Sequence, residues 1–216
     1  IYLDEIDLDE IASTPEPTAI GSPTPQPLGL SRSNPFPPSE VVSAPNWHVH
    51  LLEVVRSDEA WEAIQAANQF NDPAPEGMEY LLVKLHVKST YADSEDHAIS
   101  GSDFKITGDR LIQYGSASVV EPDPMLDARL FAGGETEGWA AYSVGQGEGN
   151  LILIVHELFS SDEDGRRFIA LEDGASISVS PELVGIQPTD LGKARGSPAP
   201  FGETVITEGW EVTILK

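Results

Sequence analysis

Between Met78 and Lys88 the chain alternates without a break, with Tyr80, Leu82, Lys84, His86 and Lys88 on one side and Leu81, Val83, Leu85 and Val87 on the other. A period of two sends successive side chains to opposite faces, so this is a β-strand, and its continuous apolar side marks it as a central one. Trp47, Val49 and Leu51 oppose His48, His50 and Leu52 in the same way. Shorter β candidates follow at 104–107, 111–114, 128–131, 135–144, 150–158, 167–171 and 175–179, nearly all separated by Gly, Pro, Asn or Asp. One segment departs from the pattern. Ser57, Asp58 and Glu59 supply a cap and an acidic first turn to a short helix reaching about Asn68, with Ala60, Ile64 and Ala67 along one side. Many short strands and a single helix predict an all-β fold, an antiparallel β-sandwich with one short inserted helix, because a parallel sheet needs crossover helices that the pattern lacks. Trp47, Phe104, Trp139, Leu153 and Val155 are expected between the sheets.

The chain also begins the same paragraph twice. Leu28, Gly29, Arg32, Pro35, Pro37, Glu40, Val42, Trp47, Val49 and Leu52 recur as Leu191, Gly192, Arg195, Pro198, Pro200, Glu203, Val205, Trp210, Val212 and Leu215, always 163 residues on and without a gap. That is a domain-sized repeat and not a solenoid period. It divides the chain into an acidic Thr/Pro-rich linker at 1–33, a sandwich at 34–180, a linker at 181–196 and, at 197–216, the first strand of a second copy. The expectation is a piece of a longer polypeptide, with any signal or anchor upstream of Ile1.

Composition narrows the partners. Against 12 Lys and Arg stand 36 Asp and Glu, a formal charge of −24, which repels phosphate backbones and anionic lipid headgroups and argues against nucleic acid or membrane surfaces as partners. No apolar run approaches the length of a membrane span, so direct insertion of this segment is not expected. Without cysteine there are no disulfides, thiolate metal sites or cysteine nucleophiles. The Thr/Pro tract of the first linker reads as a semi-rigid, solvated spacer.

Three segments carry a family resemblance: residues 77–88, from Gly77 through Glu79 and Tyr80; Ser102-Asp103-Phe104-Lys105; and Gly133-Gly134-Glu135-Thr136-Glu137-Gly138-Trp139. In order and spacing, over about 35–179, they resemble the DUF4352 family of secreted or surface-anchored bacterial immunoglobulin-like domains. The resemblance implies an immunoglobulin-like sandwich exported across a membrane, often behind an anchor and a low-complexity spacer. The family offers no agreed catalytic residues to transfer. The helix at 57–68 is additional to the family's minimal strand plan, and either caps an open end of the sandwich or carries what is specific to this protein.

Candidate sites are few. His48 and His50 share a strand face and could approach one metal ion, although in the second copy their places are taken by Glu211 and Thr213. Two acidic loops offer hard oxygen donors suited to calcium: Asp93 and Asp96 around Glu95, and Asp162 and Asp164 around Glu163. Neither has the full ligand spacing of an EF-hand. No Gly-x-Ser-x-Gly elbow or helix-borne His-Glu pair points to catalysis. The Gly145-Gln146-Gly147-Glu148-Gly149 run joins two β candidates and does not open a helix, so it reads as a hairpin turn and not a phosphate loop. Trp61 and Phe70, on and after the helix, are candidates for an interaction surface.

These observations predict a non-enzymatic extracellular or cell-surface module, bacterial by its resemblance, that acts in tandem as spacer or interaction domain for a protein or glycan. No cofactor is expected unless calcium is one. The alternatives are a ligand-binding or sensory ectodomain, with loops near Pro122 and Met125 joining the helix in recognition, and a calcium-stiffened adhesion module.

Overall fold

The computed structural model describes residues 27–155 and 165–178, together with 180, 192, 194–196, 198–207 and 209–215. The strands are β1 (Val41–Ala44), β2 (Trp47–Arg56), β3 (Met78–Ser89), β4 (His97–Ser100), β5 (Phe104–Thr107), β6 (Gln113–Tyr114), β7 (Asp127–Leu130), β8 (Glu135–Gly145), β9 (Ile152–Val155), β10 (Arg167–Ala170), β11 (Thr204–Ile206) and β12 (Glu211–Thr213), and the helix α1 is Ser57–Ala67. Two four-stranded antiparallel sheets, in the orders β1-β2-β3-β8 and β10-β9-β5-β6, form the sandwich, with β4 and β7 paired as a separate ribbon. The fold is therefore the all-β, antiparallel sandwich with one short helix that the alternation predicts.

Between the sheets lie Val42, Trp47, Val49, Leu81, Val83, Leu85, Tyr142, Phe104, Ile106, Leu153 and Ile169, all buried in one cluster. Each large side chain withdrawn from water there contributes about 1.5 to 3 kcal/mol of transfer free energy. Trp139 departs from expectation. It stands opposite Lys84 on the outward face of β8, only half buried, because Ala140 and Tyr142 take the inward positions.

The outer face of the first sheet has two halves. Toward one end Tyr80, Leu82 and Ala141 point outward and are buried under Ala60 and Ile64 of α1 in a second apolar cluster. Toward the other end the same face carries His48, His50, Lys84, His86, Lys88, Glu135 and Glu137, paired across strands as His50 with His86 and Lys88 with Glu135. The inserted helix thus lies on a sheet face and not over an open end of the sandwich, and it goes where β3 turns apolar on both sides.

Residues 115–126 run along the outer side of β8. Ala117 donates to the Ala141 carbonyl, Leu126 to that of Trp139, and Trp139 to that of Pro124. Gly138 is required by this crossing: a Cβ there would stand 2.5 Å from the Met125 carbonyl carbon and the Leu126 nitrogen. On the second sheet, Phe36 lies beside Ile169 in a parallel bridge, Phe168 donates to the Gly29 carbonyl and Ile177 to that of Arg32. Gly29 and Arg32, placed in the linker by composition, are therefore tied to the sandwich.

The turn after β8 is not a hairpin. β8 belongs to the first sheet and β9 to the second, so Gln146–Gly149 carries the chain between them. Glu148 fixes the crossing, its carboxylate wholly buried and accepting from the Tyr114 hydroxyl at 2.7 Å and the Arg110 backbone amide at 3.0 Å.

β11 and β12 pair as Thr204 with Thr213, Val205 with Val212 and Ile206 with Glu211. In β1 and β2, Val41 pairs with His50, Val42 with Val49 and Ser43 with His48. The two hairpins have the same register at the same 163-residue offset. Their preceding turns match as well, with Gly29 at φ 73° and Gly192 at φ 75°.

Candidate functional site

β2 ends where α1 begins, and the junction is held from below by β3. Glu79, nearly buried on a strand that is otherwise apolar at this end, accepts from the Arg56 guanidinium, from the Ser57 hydroxyl and from the Gly147 amide at 3.2 Å. Arg56 also donates to the Glu148 carbonyl at 3.0 Å. Burial pushes the Glu79 carboxyl up, but the Ser57 hydroxyl, the Arg56 guanidinium and the Gly147 amide outweigh it and hold the group below its ordinary value. Ser57 does not cap the helix by its side chain. Its hydroxyl is committed to Glu79, its φ is 59°, and Arg56 occupies the N-cap position. Asp58 and Glu59 do sit in the first turn, where they favour the positive end of the helix dipole.

Above this anchor Trp61 lies against Tyr80, ring centroids 5.9 Å apart and 20° from parallel. Ser57, Asp58, Ala74, Met78, Glu79 and Gln146 join the two rings around a cleft of about 180 Å³. The Tyr80 hydroxyl donates to the Asp72 carbonyl at 3.0 Å, and burial, with the Asp72 charge beside it, pushes this phenol up. An aromatic pair, the Asp58 carboxylate and the Gln146 amide side chain around a small cleft suit a ligand with both apolar faces and hydrogen-bonding groups.

Phe70 stands beyond the helix, 82% exposed. The next residue, Asn71, donates to the carbonyls of Ile64 and Val120, both at 2.9 Å, and accepts from the Val120 amide at 2.9 Å. One amide side chain therefore ties the end of α1 to the 115–126 segment. Val120 is itself half exposed.

The acidic candidates divide. Asp93 accepts from the Glu95 amide and pairs with His97 at 2.9 Å, and His97 stacks on Tyr91 with centroids 3.4 Å apart. Asp96 is held by Arg129. The hydrogen bonds from His97 and Arg129 lower the two carboxyls below their ordinary values. Asp93 and Asp96 are thus each engaged by a side chain of their own, His97 and Arg129, and among the described residues no three His, Asp or Glu side chains gather as metal ligands. Asp162 and Asp164 lie outside the described residues. His50 is opposed by His86, which pairs with Glu135 at 3.2 Å, while His48 is opposed by Lys88.

The Arg56–Glu79–Glu148 network escaped sequence reasoning because its members are 23 and 92 residues apart. Its one local signal is Glu79, an acid directly before the apolar run Tyr80-Leu81-Leu82-Val83 of β3. Among the described residues no helix is long and apolar enough to cross a membrane.

No family model and no curated protein match the chain. Among solved structures it is similar to a proposed lipoprotein, ycdA, of Bacillus subtilis, at 14% identity and a TM-score of 0.43, over 61% of this chain and 38% of that one. It is also similar to the yjhA protein of Bacillus subtilis, at 14% identity and a TM-score of 0.44, over 62% of this chain and 98% of that one. A third similarity is to an uncharacterized β-sandwich protein of Clostridium difficile, at 9% identity and a TM-score of 0.39, over 70% and 100% of the two chains.

Proposed function

We propose that this chain is a non-enzymatic interaction module of the bacterial cell surface or exterior, used in tandem, whose recognition surface is the α1 face and whose partner is a glycan. The observation that carries this reading is the cleft at Trp61 and Tyr80, where a stacked aromatic pair meets Asp58 and Gln146 on the outer face of the first sheet. Loops and insertions on a rigid scaffold are where binding surfaces arise. The reading as a module and not a catalyst is supported by Glu79 and Glu148, whose carboxylates are engaged by Arg56, Ser57, Tyr114 and backbone amides that hold the fold together. Tandem use is supported by the shared register of β1–β2 and β11–β12. Membership of the DUF4352-like exported domains, and with it a bacterial surface address, rests on the three sequence segments given above.

The test is co-sedimentation of the whole chain with purified bacterial peptidoglycan sacculi. The intact chain and a Glu40→Ala control are expected in the pellet, and Trp61→Ala, checked for an unchanged melting midpoint, in the supernatant. A chain that stays in solution, or a Trp61→Ala variant that pellets like the parent, removes the glycan reading of this cleft.

A further inference from the structure

The second sheet carries apolar residues on its outer face as well as its inner one: Ile152 and Ile154 are buried there, beside Phe168 and Thr107. Residues 30–33 pass over this face without filling it. A groove of about 480 Å³ remains, walled by Leu30, Leu111, Ile154 and Phe168, with Arg32, Ser31, Ser33, Thr107, Gln113 and Arg166 supplying polar groups. Its size is that of a small-molecule site.

Two features distinguish it. The first is charge. Arg56, Arg110, Arg129, Lys84 and Lys88 each face a carboxylate, whereas Arg32, like Lys105 and Arg195 but at the wall of a groove, enters no ion pair among the described residues, in a chain of formal charge −24. Its backbone is fixed, since Ile177 donates to the Arg32 carbonyl at 2.8 Å and the Gly29 amide donates to Asn34 at 2.7 Å, so the guanidinium projects from a set loop. The second is strain. Leu111 holds φ 60°, in the left-handed region that a branched side chain disfavours, and is half exposed, as are Ile112 and Leu30. A large apolar side chain held there at the rim of a groove is a pattern that functional sites show.

We infer that this groove binds a small amphipathic monoanion, a carboxylate head on an apolar body, with Arg32 taking the carboxylate and Leu30, Leu111 and Phe168 the body. A guanidinium presents a planar fork that matches a carboxylate in two hydrogen bonds. One negative charge and not several is selected, because every further charge meets the repulsion of the whole chain. The inference is independent of the cleft beside α1.

Sodium decanoate is the probe, titrated calorimetrically into the whole chain at low ionic strength, with decyl maltoside as the uncharged counterpart. Decanoate is expected to bind saturably at one site and to weaken with added salt. Arg32→Gln should weaken it about tenfold or more, the scale of one charge-assisted hydrogen bond, and Arg32→Lys less. Leu111→Asn separates binding from folding, since asparagine tolerates the left-handed backbone: decanoate should bind more weakly while the melting midpoint holds or rises. No saturable decanoate binding, equal binding of decyl maltoside, or unchanged affinity in Arg32→Gln would each overturn the assignment.

Discussion

The Tyr114 hydroxyl donates to the buried Glu148 carboxylate at 2.7 Å, linking the second sheet to the turn that leaves the first. Removing the donor leaves a buried carboxylate held by the Arg110 amide with Arg110 Nε at 3.9 Å. Tyr114→Phe is therefore expected to lower stability by about 1.5 to 3 kcal/mol, the range for a hydrogen bond to a charged group, read as a lower urea midpoint with an unchanged slope.

Gly138→Ala puts a methyl group against the Met125–Leu126 backbone, which cannot yield as a side-chain tip can. A loss of about 2 kcal/mol or more is expected, at the severe end of single substitutions. Faster hydrogen exchange at the Leu126 amide should accompany it, because that amide donates to Trp139 across the same crossing.

Two glutamates make opposite contributions with pH. Glu79 lies below its ordinary value when folded, so its stabilisation is present above the unfolded value of about 4.3 and is lost as pH falls through the folded one. Glu121 is pushed up, chiefly by burial and further by Asp127, with the Ala141 amide only partly offsetting them. Its stabilising contribution is complete below the unfolded value and is lost as pH rises through the folded one. Glu121→Gln should accordingly raise the urea midpoint at pH 7 and lose that advantage by about pH 4, while Glu79→Gln should lower it at pH 7 and flatten its fall in acid.

Asn71→Ala removes the amide that ties the end of α1 to Val120 and leaves that backbone pair without its protein partner. A loss of about 1 to 2 kcal/mol is expected, together with selective loss of exchange protection at the Val120 amide. Uniform loss across the sandwich would place the effect elsewhere.

Grafting residues 204–213 in place of 41–50 tests the repeat directly. Val205, Trp210 and Val212 then stand where Val42, Trp47 and Val49 are buried, in the same register. One cooperative unfolding transition is expected; a chimera without one contradicts equivalence of the two hairpins.

Alternation made β2, β3 and β8 legible because long strands repeat the signal many times. β1 and β4 were missed because Val-Val-Ser-Ala and His-Ala-Ile-Ser do not alternate polar with apolar residues, as the equally short Phe-Lys-Ile-Thr of β5 does. Trp139 was assigned to the wrong face because β8 carries one large aromatic on each side, Trp139 on one and Tyr142 on the other, and only its register against Lys84 decides which side is inward. The cleft residue Trp61 was legible as a candidate, but its stacking on Tyr80 was not, since it depends on which half of the β3 outer face the helix covers. The groove at Arg32 left no local trace: Arg32, Leu111 and Phe168 meet only through the order of strands in the second sheet.

The segment laid along β8 has a consequence for assembly. With that flank occupied and β1 at the opposite flank cut to four residues between Pro38 and Pro45, the first sheet offers little to strand addition by a neighbouring molecule. Growth of that sheet by side-by-side addition of a neighbour's strand is thereby disfavoured at both of its flanks.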